Sequence, residues 1–178
     1  WPRCVQIAWQ LHDEMGNVLE HNDFLIKPDG YNIPYDAERI HGISTELAEK
    51  EGISLDECLG FFNEVLSKTK FIVGQNLNFD LNIMGCEFHR LNVENKMTSL
   101  PILDTCTEKT ALMCQIPGGR GGKFKLPTLT ELHNHLFGAG FGDAHNATAD
   151  VEATTRCFLE LIRIREFTKE QLDVDAEY

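Results

Sequence analysis

Apolar and polar positions alternate at the start of the chain and follow a helical period near its end. The stretch VQIAWQL, the polar turn HDEMGN and the stretch VLEHNDFLIKP predict a β-hairpin that reverses at Gly16 and Asn17. Near the other end, apolar residues at helical spacing predict a long helix with one buried face. These residues are Ala147, Val151, Thr154, Phe158, Leu161 and Ile162.

Short apolar runs and amphipathic segments alternate between these two ends. KFIVGQN and LPILDT predict two short buried strands. Helices are predicted through DAERIHG, from the capping box SLDE, from about Asn78 to Leu91, over residues 106–116, and from the capping box TLTE to Gly138. A hairpin followed by strand–helix alternation is typical of an α/β sheet with helices on its faces.

Length and composition predict one soluble domain with a real core. The chain has 178 residues, of which 42% are hydrophobic and 25% are charged. No apolar run reaches the length of a membrane span, and no signal segment opens the sequence. We expect the domain to occupy residues 1–167 and an acidic tail to occupy residues 168–178.

The six cysteines form no CxxC pair, and most of them lie in apolar stretches. They are Cys4, Cys58, Cys86, Cys106, Cys114 and Cys157. This pattern favours buried thiols in a reducing compartment over a disulfide framework or a zinc site, so we expect a cytoplasmic protein.

The net charge of -12 argues against broad electrostatic adhesion to nucleic acid or to an anionic membrane. It does not exclude a protein that grips a short strand end, because metal ions can supply local positive charge. The one concentrated basic stretch is GGRGGKFK, with Arg120, Lys123 and Lys125. A flexible solvated loop is the favoured description of this stretch, although loops also carry function.

Two carboxylates and a histidine stand at predicted helix starts. Asp80 follows the buried strand FIVG, and His145 and Asp150 fall at the beginning of the last helix. Taken singly, each aspartate is equally well explained as a residue that stabilises the positive end of a helix dipole. As a pair beside a histidine, they suit Mg²⁺ or Mn²⁺ and phosphoryl transfer, in which the histidine takes a proton from water.

Other polar residues receive structural interpretations. Asp104 in ILDT is interpreted as a strand-end carboxylate rather than a ligand. His133 and His135 are placed on a surface-like helix, where residues two apart do not share a face, and so a metal role is not expected. His89 is interpreted as a surface residue.

Four motifs occur in an order that resembles a known family. They are RIHGIS at 39–44, NxxFD from Asn76 to Asp80, LPTLTELHNHLFG at 126–138, and HxxxxD from His145 to Asp150. Together they resemble the DEDDh exonucleases, relatives of the proofreading epsilon subunit of bacterial DNA polymerase III. The resemblance extends to about Arg165 and implies a ribonuclease-H-like fold, a mixed five-stranded sheet flanked by helices.

The resemblance implies roles for six residues, each of which matches a motif position. Asp80 and Asp150 match metal-ligand carboxylates of a site expected to hold two ions, Mg²⁺ or Mn²⁺, when complete. His145 matches the general base. Asn76 and Phe79 match positions beside the terminal nucleotide, and His41 lies in the loop that borders it.

Two departures from the family pattern affect these expectations. Gln75-Asn76 stands where the family often has His-Asn. The first motif, an Asp-x-Glu on the first and central strand, has no counterpart, because DAE at 36–38 adjoins RIHGIS and DAE at 175–177 lies in the tail. We therefore expect the chain to lack this strand, a segment that the natural protein has.

The sequence predicts a metal-dependent 3′–5′ exonuclease that converts DNA to nucleoside monophosphates, in proofreading or repair and alongside a polymerase subunit. An RNA 3′-end exonuclease is the alternative within the class. A catalytically inactive nucleic-acid-binding or polymerase-docking module is the alternative outside it and would account for the missing motif. A small-molecule phosphohydrolase would require a closed pocket instead of an open groove.

Overall fold

Strands and helices alternate along the part of the chain that the computed structural model describes, residues 1–167. The strands are β1 (Gln6–His12), β2 (Val18–Leu25), β3 (Ile72–Gly74) and β4 (Ile102–Asp104). The helices are α1 (Tyr35–His41), α2 (Thr45–Glu51), α3 (Leu55–Leu66), α4 (Leu77–Arg90), α5 (Glu108–Cys114), α6 (Leu129–Phe137) and α7 (Ala147–Arg163). The predicted tail at 168–178 lies outside the described residues.

The chain divides into two compact units. The first unit contains Trp1–Thr69, Asn78–Leu100 and His145–Thr148, and the second contains Lys70–Leu77, Pro101–Ala144 and the chain from Ala149 onwards. Among the described residues, β1 and β2 form an antiparallel pair in the first unit, and β3 and β4 form a parallel pair in the second. The α/β class predicted from the alternation is therefore observed.

The hairpin reverses where the sequence predicts. Asp13 closes the turn by accepting backbone N–H bonds from Met15 and Asn17, each 2.9 Å long. Trp9, at the centre of β1, is 9% exposed, and its ring packs against Phe24 of β2 and Phe62 of α3 at centroid distances of 5.6 and 5.2 Å. The aromatic side chains thus fix α3 against one face of the hairpin.

Among the strands and α-helices of residues 1–167, α2 is the one that the sequence analysis does not predict. Ser44 caps it by accepting the Leu47 N–H, and only Ala48 is buried, so the helix leaves no apolar stripe in the sequence. Gly52 ends it, and a Cβ there would lie 2.7 Å from the Lys27 nitrogen. Glycine therefore permits the close approach that pairs Ile53 with Ile26.

The core of the second unit lies between α6 and α7. It contains Leu132, Cys157 and Leu161, which are fully buried. In α7 the buried stripe is Ala153, Cys157 and Leu161, whereas the other residues of the predicted stripe are half-buried. Two of the three buried residues of α7, Ala153 and Cys157, have small side chains.

The cysteines are free thiols in the described residues, as predicted. Cys4, Cys58 and Cys157 are buried, and the other three are partly buried. Burial raises the pKa of Cys58 and Cys157 to about 12, so neither is a thiolate near neutral pH.

No helix in residues 1–167 is both long enough and apolar enough to span a membrane.

A buried carboxylate joins α4 to the segment that precedes β1. The Glu87 side chain is 1% exposed, and its Oε1 accepts hydrogen bonds of 2.9 Å from Arg3 Nε, the Cys4 N–H and Arg90 Nη1. Arg3 also lies over the Tyr31 ring, 4.4 Å from its centroid. One acidic group thereby anchors two arginines and a backbone amide.

Replacing Glu87 with alanine should destabilise the protein strongly. Loss of this carboxylate leaves Arg3, Arg90 and the Cys4 N–H without their acceptor. The expected decrease in the free energy of unfolding is about 3 kcal/mol, measured by urea denaturation. Glu94→Ala, which replaces an exposed glutamate, serves as the control, and its free energy of unfolding should stay within about 0.5 kcal/mol of the parent's. Equal losses in the two variants would contradict the anchoring role.

Candidate active site

The start of α4 is held by one carboxylate at the end of β4. Asp104 Oδ1 accepts the N–H groups of Asn76 and Cys106, each at 2.8 Å, and its Oδ2 accepts the Leu77 N–H at 2.9 Å. The first N–H groups of a helix have no partner within the helix, so this bonding stabilises the helix start. Asp104 is a structural strand-end carboxylate, as the sequence analysis predicts.

Asn76 adopts a left-handed backbone conformation immediately before α4, with φ of 58°. Asparagine tolerates this region better than most residues, and the bond to Asp104 fixes the conformation here. The neighbouring Gln75 has a structural role, because its Nε2 donates to the Pro127 carbonyl at 2.8 Å and its Oε1 accepts from the Thr105 hydroxyl. Gln75 and Asn76 are therefore fixed to β4 and to the segment before α6.

Phe79 and Asp80 follow in the first turn of α4. Asp80 is exposed, and the Phe79 side chain is 49% exposed. The ring of Phe79 meets the ring of Trp1 edge-on, with centroids 6.1 Å apart. The negative charge of Asp80 contributes, after burial, to raising the pKa of the Cys4 thiol. Asp80 therefore lies near the beginning of β1 and presents its carboxylate at the surface.

His145 lies two residues before α7 in an uncommon conformation. Its φ is 75°, in the left-handed region that few non-glycine residues adopt. Asn146 accepts the Thr148 N–H at 3.1 Å, and the Thr148 hydroxyl donates to Asp23 of β2. These bonds attach the His145 segment to the hairpin. Strained backbone of this kind is concentrated at functional sites, which supports the choice of His145 as a candidate.

Asp150 lies in the first turn of α7, as predicted. It is half-buried, and its carbonyl oxygen accepts a bond of 2.7 Å from the Thr154 hydroxyl. This bond uses the backbone carbonyl of Asp150 and not its carboxylate. Both candidate carboxylates, Asp80 and Asp150, thus occupy helix first turns.

His41 ends α1, and its ring is held in one tautomer. Nδ1 accepts the Ile43 N–H at 3.0 Å, so the ring proton is on Nε2, a buried atom that has no partner among the described residues. Partial burial lowers the pKa of His41, and the nearby Glu38 opposes this effect. The imidazole is therefore neutral near physiological pH, and its Nε2–H is buried.

The candidate residues are divided between the two units. His41, Phe79, Asp80 and His145 belong to the first unit, and Asn76 and Asp150 belong to the second. Within residues 1–167, no group of three or more His, Cys, Asp or Glu side chains is placed to hold a metal ion. The proposed metal-ligand pair therefore stays a prediction.

One sequence interpretation is wrong. His133 is not a surface residue, because it is 7% exposed and packs against Phe137 and Phe141. Its Nδ1 lies 2.8 Å from the Ala139 carbonyl, and its Nε2 accepts a bond of 3.2 Å from Arg156 Nε. Both nitrogens are satisfied, so His133 supports the loop after α6. His135 is exposed as predicted.

Asp23 is a residue that the sequence analysis missed. It lies in a polar position of β2 that alternation alone predicts to face solvent, and it accepts bonds from Gln6 and Thr148. No local signal marks this role, because Thr148 is far away in the sequence.

The comparisons with known proteins agree with these motifs. A family model described as exonuclease, of the RNase T type, matches residues 4–158. No curated protein matches the chain. Among solved structures, the chain is similar to E. coli exonuclease I in complex with a 5cy-dT13 oligonucleotide, at 22% identity and a TM-score of 0.73 over 92% of this chain and 37% of that chain.

Two further structures are similar in the same way. A structure of exonuclease I described in terms of processivity matches at 25% identity and a TM-score of 0.73, over 91% of this chain and 37% of that chain. The zinc-bound form of an E. coli exonuclease I complex with single-stranded DNA matches at 22% identity and a TM-score of 0.73, over 96% and 38%. The chain thus spans less than two fifths of these structures, and the predicted ribonuclease-H-like fold is confirmed.

Removing the Asp104 carboxylate should weaken the start of α4. We expect Asp104→Ala to lower the free energy of unfolding by about 2 kcal/mol, because three backbone N–H groups lose their acceptor. Asp104→Asn retains one side-chain oxygen and should lose less, as measured by urea denaturation. Identical losses in the two variants would show that the side-chain acceptors do not stabilise this helix start.

Stability should decrease on mild acidification partly because of His41. The pKa of His41 is lowered in the folded state, so the unfolded chain binds a proton first as the pH falls from the ordinary value of about 6.5. The stabilisation is complete above that value and is lost as pH falls through the folded pKa. The midpoint temperature of thermal unfolding should therefore decrease less steeply between pH 7 and pH 5 in His41→Ala than in the parent.

His89→Ala, which removes an exposed imidazole from α4, is the control and should keep the steepness of the parent. His12, whose pKa is also lowered by burial, accounts for a remaining slope in the same direction. An unchanged slope in His41→Ala would contradict the prediction.

Proposed function

Because the chain belongs to the RNase T family of DEDD exonucleases, we propose that it acts as a metal-dependent 3′–5′ exonuclease that hydrolyses DNA to nucleoside monophosphates. The observation that carries the proposal is the extent of the family match, residues 4–158, which includes both NxxFD and HxxxxD. Asp80, His145 and Asp150 stand at the motif positions that the chemistry requires.

The chemistry of the donors suits a divalent cation, although their number is low. Asp80 and Asp150 offer carboxylate oxygens, which Mg²⁺ and Mn²⁺ prefer, and no third ligand joins a cluster within residues 1–167. We propose that these two carboxylates hold the metal, which when bound activates a water and stabilises the departing oxygen. Two carboxylates alone should bind the ion weakly.

His145 is proposed as the general base. A neutral imidazole can accept the proton of the attacking water at a ring nitrogen. The positive φ of His145 describes its backbone, and the bond from the Thr148 hydroxyl to Asp23 holds the segment that follows it. Asn76, Phe79 and His41 are proposed to position the terminal nucleotide.

Single-stranded or frayed DNA ends are the proposed substrate. Structures similar to this chain are described as exonuclease I bound to single-stranded oligonucleotides, and this description supports a nucleic-acid substrate here. Proofreading or repair beside a DNA polymerase subunit in the cytoplasm is the proposed setting. RNA 3′ ends are the alternative substrate, which requires tolerance of the 2′-hydroxyl.

Replacing His145 tests whether this residue acts in catalysis or has only a structural role. In the protein expressed from its complete reading frame, His145→Ala should lower kcat by roughly 10²-fold or more and leave KM nearly unchanged. The assay follows a 5′-labelled single-stranded DNA with Mg²⁺, and a ladder of shortened labelled products reports 3′–5′ polarity. His135→Ala, an exposed histidine of α6, is the matched control and should keep the parent rate.

Several outcomes decide between the alternatives. Near-normal kcat in a well-folded His145→Ala protein would overturn the mechanism. Asp150→Asn should lower the rate and also raise the Mg²⁺ concentration needed for half-maximal activity. Faster shortening of an RNA of the same sequence would favour the RNA enzyme. Absence of hydrolysis by the parent with retained DNA binding would favour the inactive binding module.

A further inference from the structure

The outer side of β2, which faces away from β1, accepts a backbone partner at one end. Ile53 donates its N–H to the Leu25 carbonyl there at 2.9 Å and accepts the Lys27 N–H at 2.8 Å. Successive residues of a strand direct their backbone groups to alternate sides, so those of His21 and Asp23 point the same way as those of Leu25. Among the described residues, no strand pairs with this side of β2. The edge that Ile53 uses therefore continues along His21 and Asp23.

The chain leaves this edge immediately after Ile53. Ser54 caps α3 by accepting the Glu57 N–H at 3.2 Å, and α3 begins at Leu55. The pairing that Ile53 starts therefore ends after one residue, and α3 continues beside the hairpin.

Helix α3 adds an aromatic wall to the same edge. Phe62 packs against Trp9 of β1 with ring centroids 5.2 Å apart, whereas Phe61 stacks on Phe24 of β2 at 5.5 Å with the planes at 13°. The step from Phe62 to Phe61 thus runs from β1 towards the outer side of β2. Phe61 is 42% exposed, although it stacks on Phe24. A strand added beside β2 can pack an apolar side chain on this ring.

The charge around Phe61 is negative. Glu57 and Glu64 lie four residues before and three residues after Phe61, so all three share one face of α3. Helix α3 contains no lysine or arginine. Lys68, beyond the end of the helix, is paired with Glu20 of β2. The two glutamates beside the exposed ring therefore favour a positively charged partner.

We propose that the outer edge of β2 and the exposed face of α3 form a docking groove for an extended, basic segment of a partner protein. The backbone of the segment would pair with His21 and Asp23, as in other complexes formed by strand addition. Its apolar side chains would pack on Phe61, and its lysines or arginines would face Glu57 and Glu64. We call this set of residues the β2 groove. The proposal does not depend on the proposed exonuclease activity.

Charge argues against two other occupants of the β2 groove. Strand β2 itself, VLEHNDFL, contains Glu20 and Asp23 but no lysine or arginine, and the chain has a net charge of -12. Pairing of β2 with a second copy would place like charges side by side, which is destabilising. A nucleic acid would be repelled by Glu57 and Glu64. The occupant is therefore a basic protein segment.

A synthetic peptide provides the test in the protein expressed from its complete reading frame. The probe is a short fluorescein-labelled peptide of alternating arginine and valine, and fluorescence anisotropy measures its Kd. Phe61→Ala should weaken binding about 10-fold, because valine loses its contact with the ring. Phe124→Ala removes a phenylalanine of similar exposure, 40%, from the basic stretch and is the matched control, with unchanged affinity expected.

Neutralising the two glutamates tests the charge. Glu57→Gln combined with Glu64→Gln should weaken binding of the arginine peptide about 5-fold at low salt. Glu46→Gln combined with Glu49→Gln makes the same change of net charge on the exposed face of α2 and should keep the affinity of the parent.

Two further comparisons test the backbone pairing. His21→Pro removes an N–H that points away from β1 and should weaken binding about 5-fold, whereas His21→Ala keeps this N–H and should not. The second comparison uses two forms of the peptide, each N-methylated at one of the two alternating sets of amides. Only one set can face β2, so one form should bind more weakly than the other, and this result does not depend on the folding of the proline variant.

Circular dichroism should show that each side-chain variant is folded. Absence of peptide binding by the parent, or equal affinities of the two N-methylated peptides, would overturn strand addition at β2. Equal affinities of the Phe61→Ala and Phe124→Ala proteins would overturn the groove. Self-association of the parent that is lost in Phe61→Ala would assign the surface to a second copy and would also overturn the proposal. None of these outcomes affects the exonuclease proposal, which hydrolysis of DNA tests separately.

Discussion

The N–H groups at the start of α4, which have no acceptor within the helix, impose the constraint on which the candidate site depends. Helix starts need acceptors, and here a single carboxylate, Asp104, supplies them from the end of β4. The same carboxylate accepts the N–H of Asn76, which has a left-handed conformation immediately before α4. The helix that carries Phe79 and Asp80 in its first turn is therefore capped by a residue that takes no part in the proposed chemistry.

A second carboxylate organises the other end of α4. Glu87 is buried, and its desolvation is offset by two arginines and one backbone amide. Its Oε2 is buried without a partner among the described residues, and leaving such an oxygen unbonded costs free energy. The segment before β1 is nevertheless held along the helix, because Glu87 and Arg90 bond to its backbone and to Arg3.

The elements with strong local signals were predictable. The hairpin, the TLTE capping box and the glycine end of α6 depend on residues close in sequence, and the structure has each of them. Helix α2 was missed because only Ala48 is buried, so periodicity carries no information there. His133 was misplaced for a related reason, since its burial depends on Phe141 and Arg156, which the helix pattern around it does not include.

The sequence by itself determined the family, the order of the motifs and the residue types at the candidate site, because these are properties of short stretches. It placed Asp80 and Asp150 in helix first turns through apolar periodicity alone. Only the tertiary structure decided which side chains hold those stretches: Asp104 for Asn76, Asp23 for Thr148 and Glu87 for the segment before β1. Hydrogen bonds between residues distant in sequence leave no local pattern, because an aspartate or glutamate is the same residue type whether its carboxylate is buried, caps a helix or is solvated.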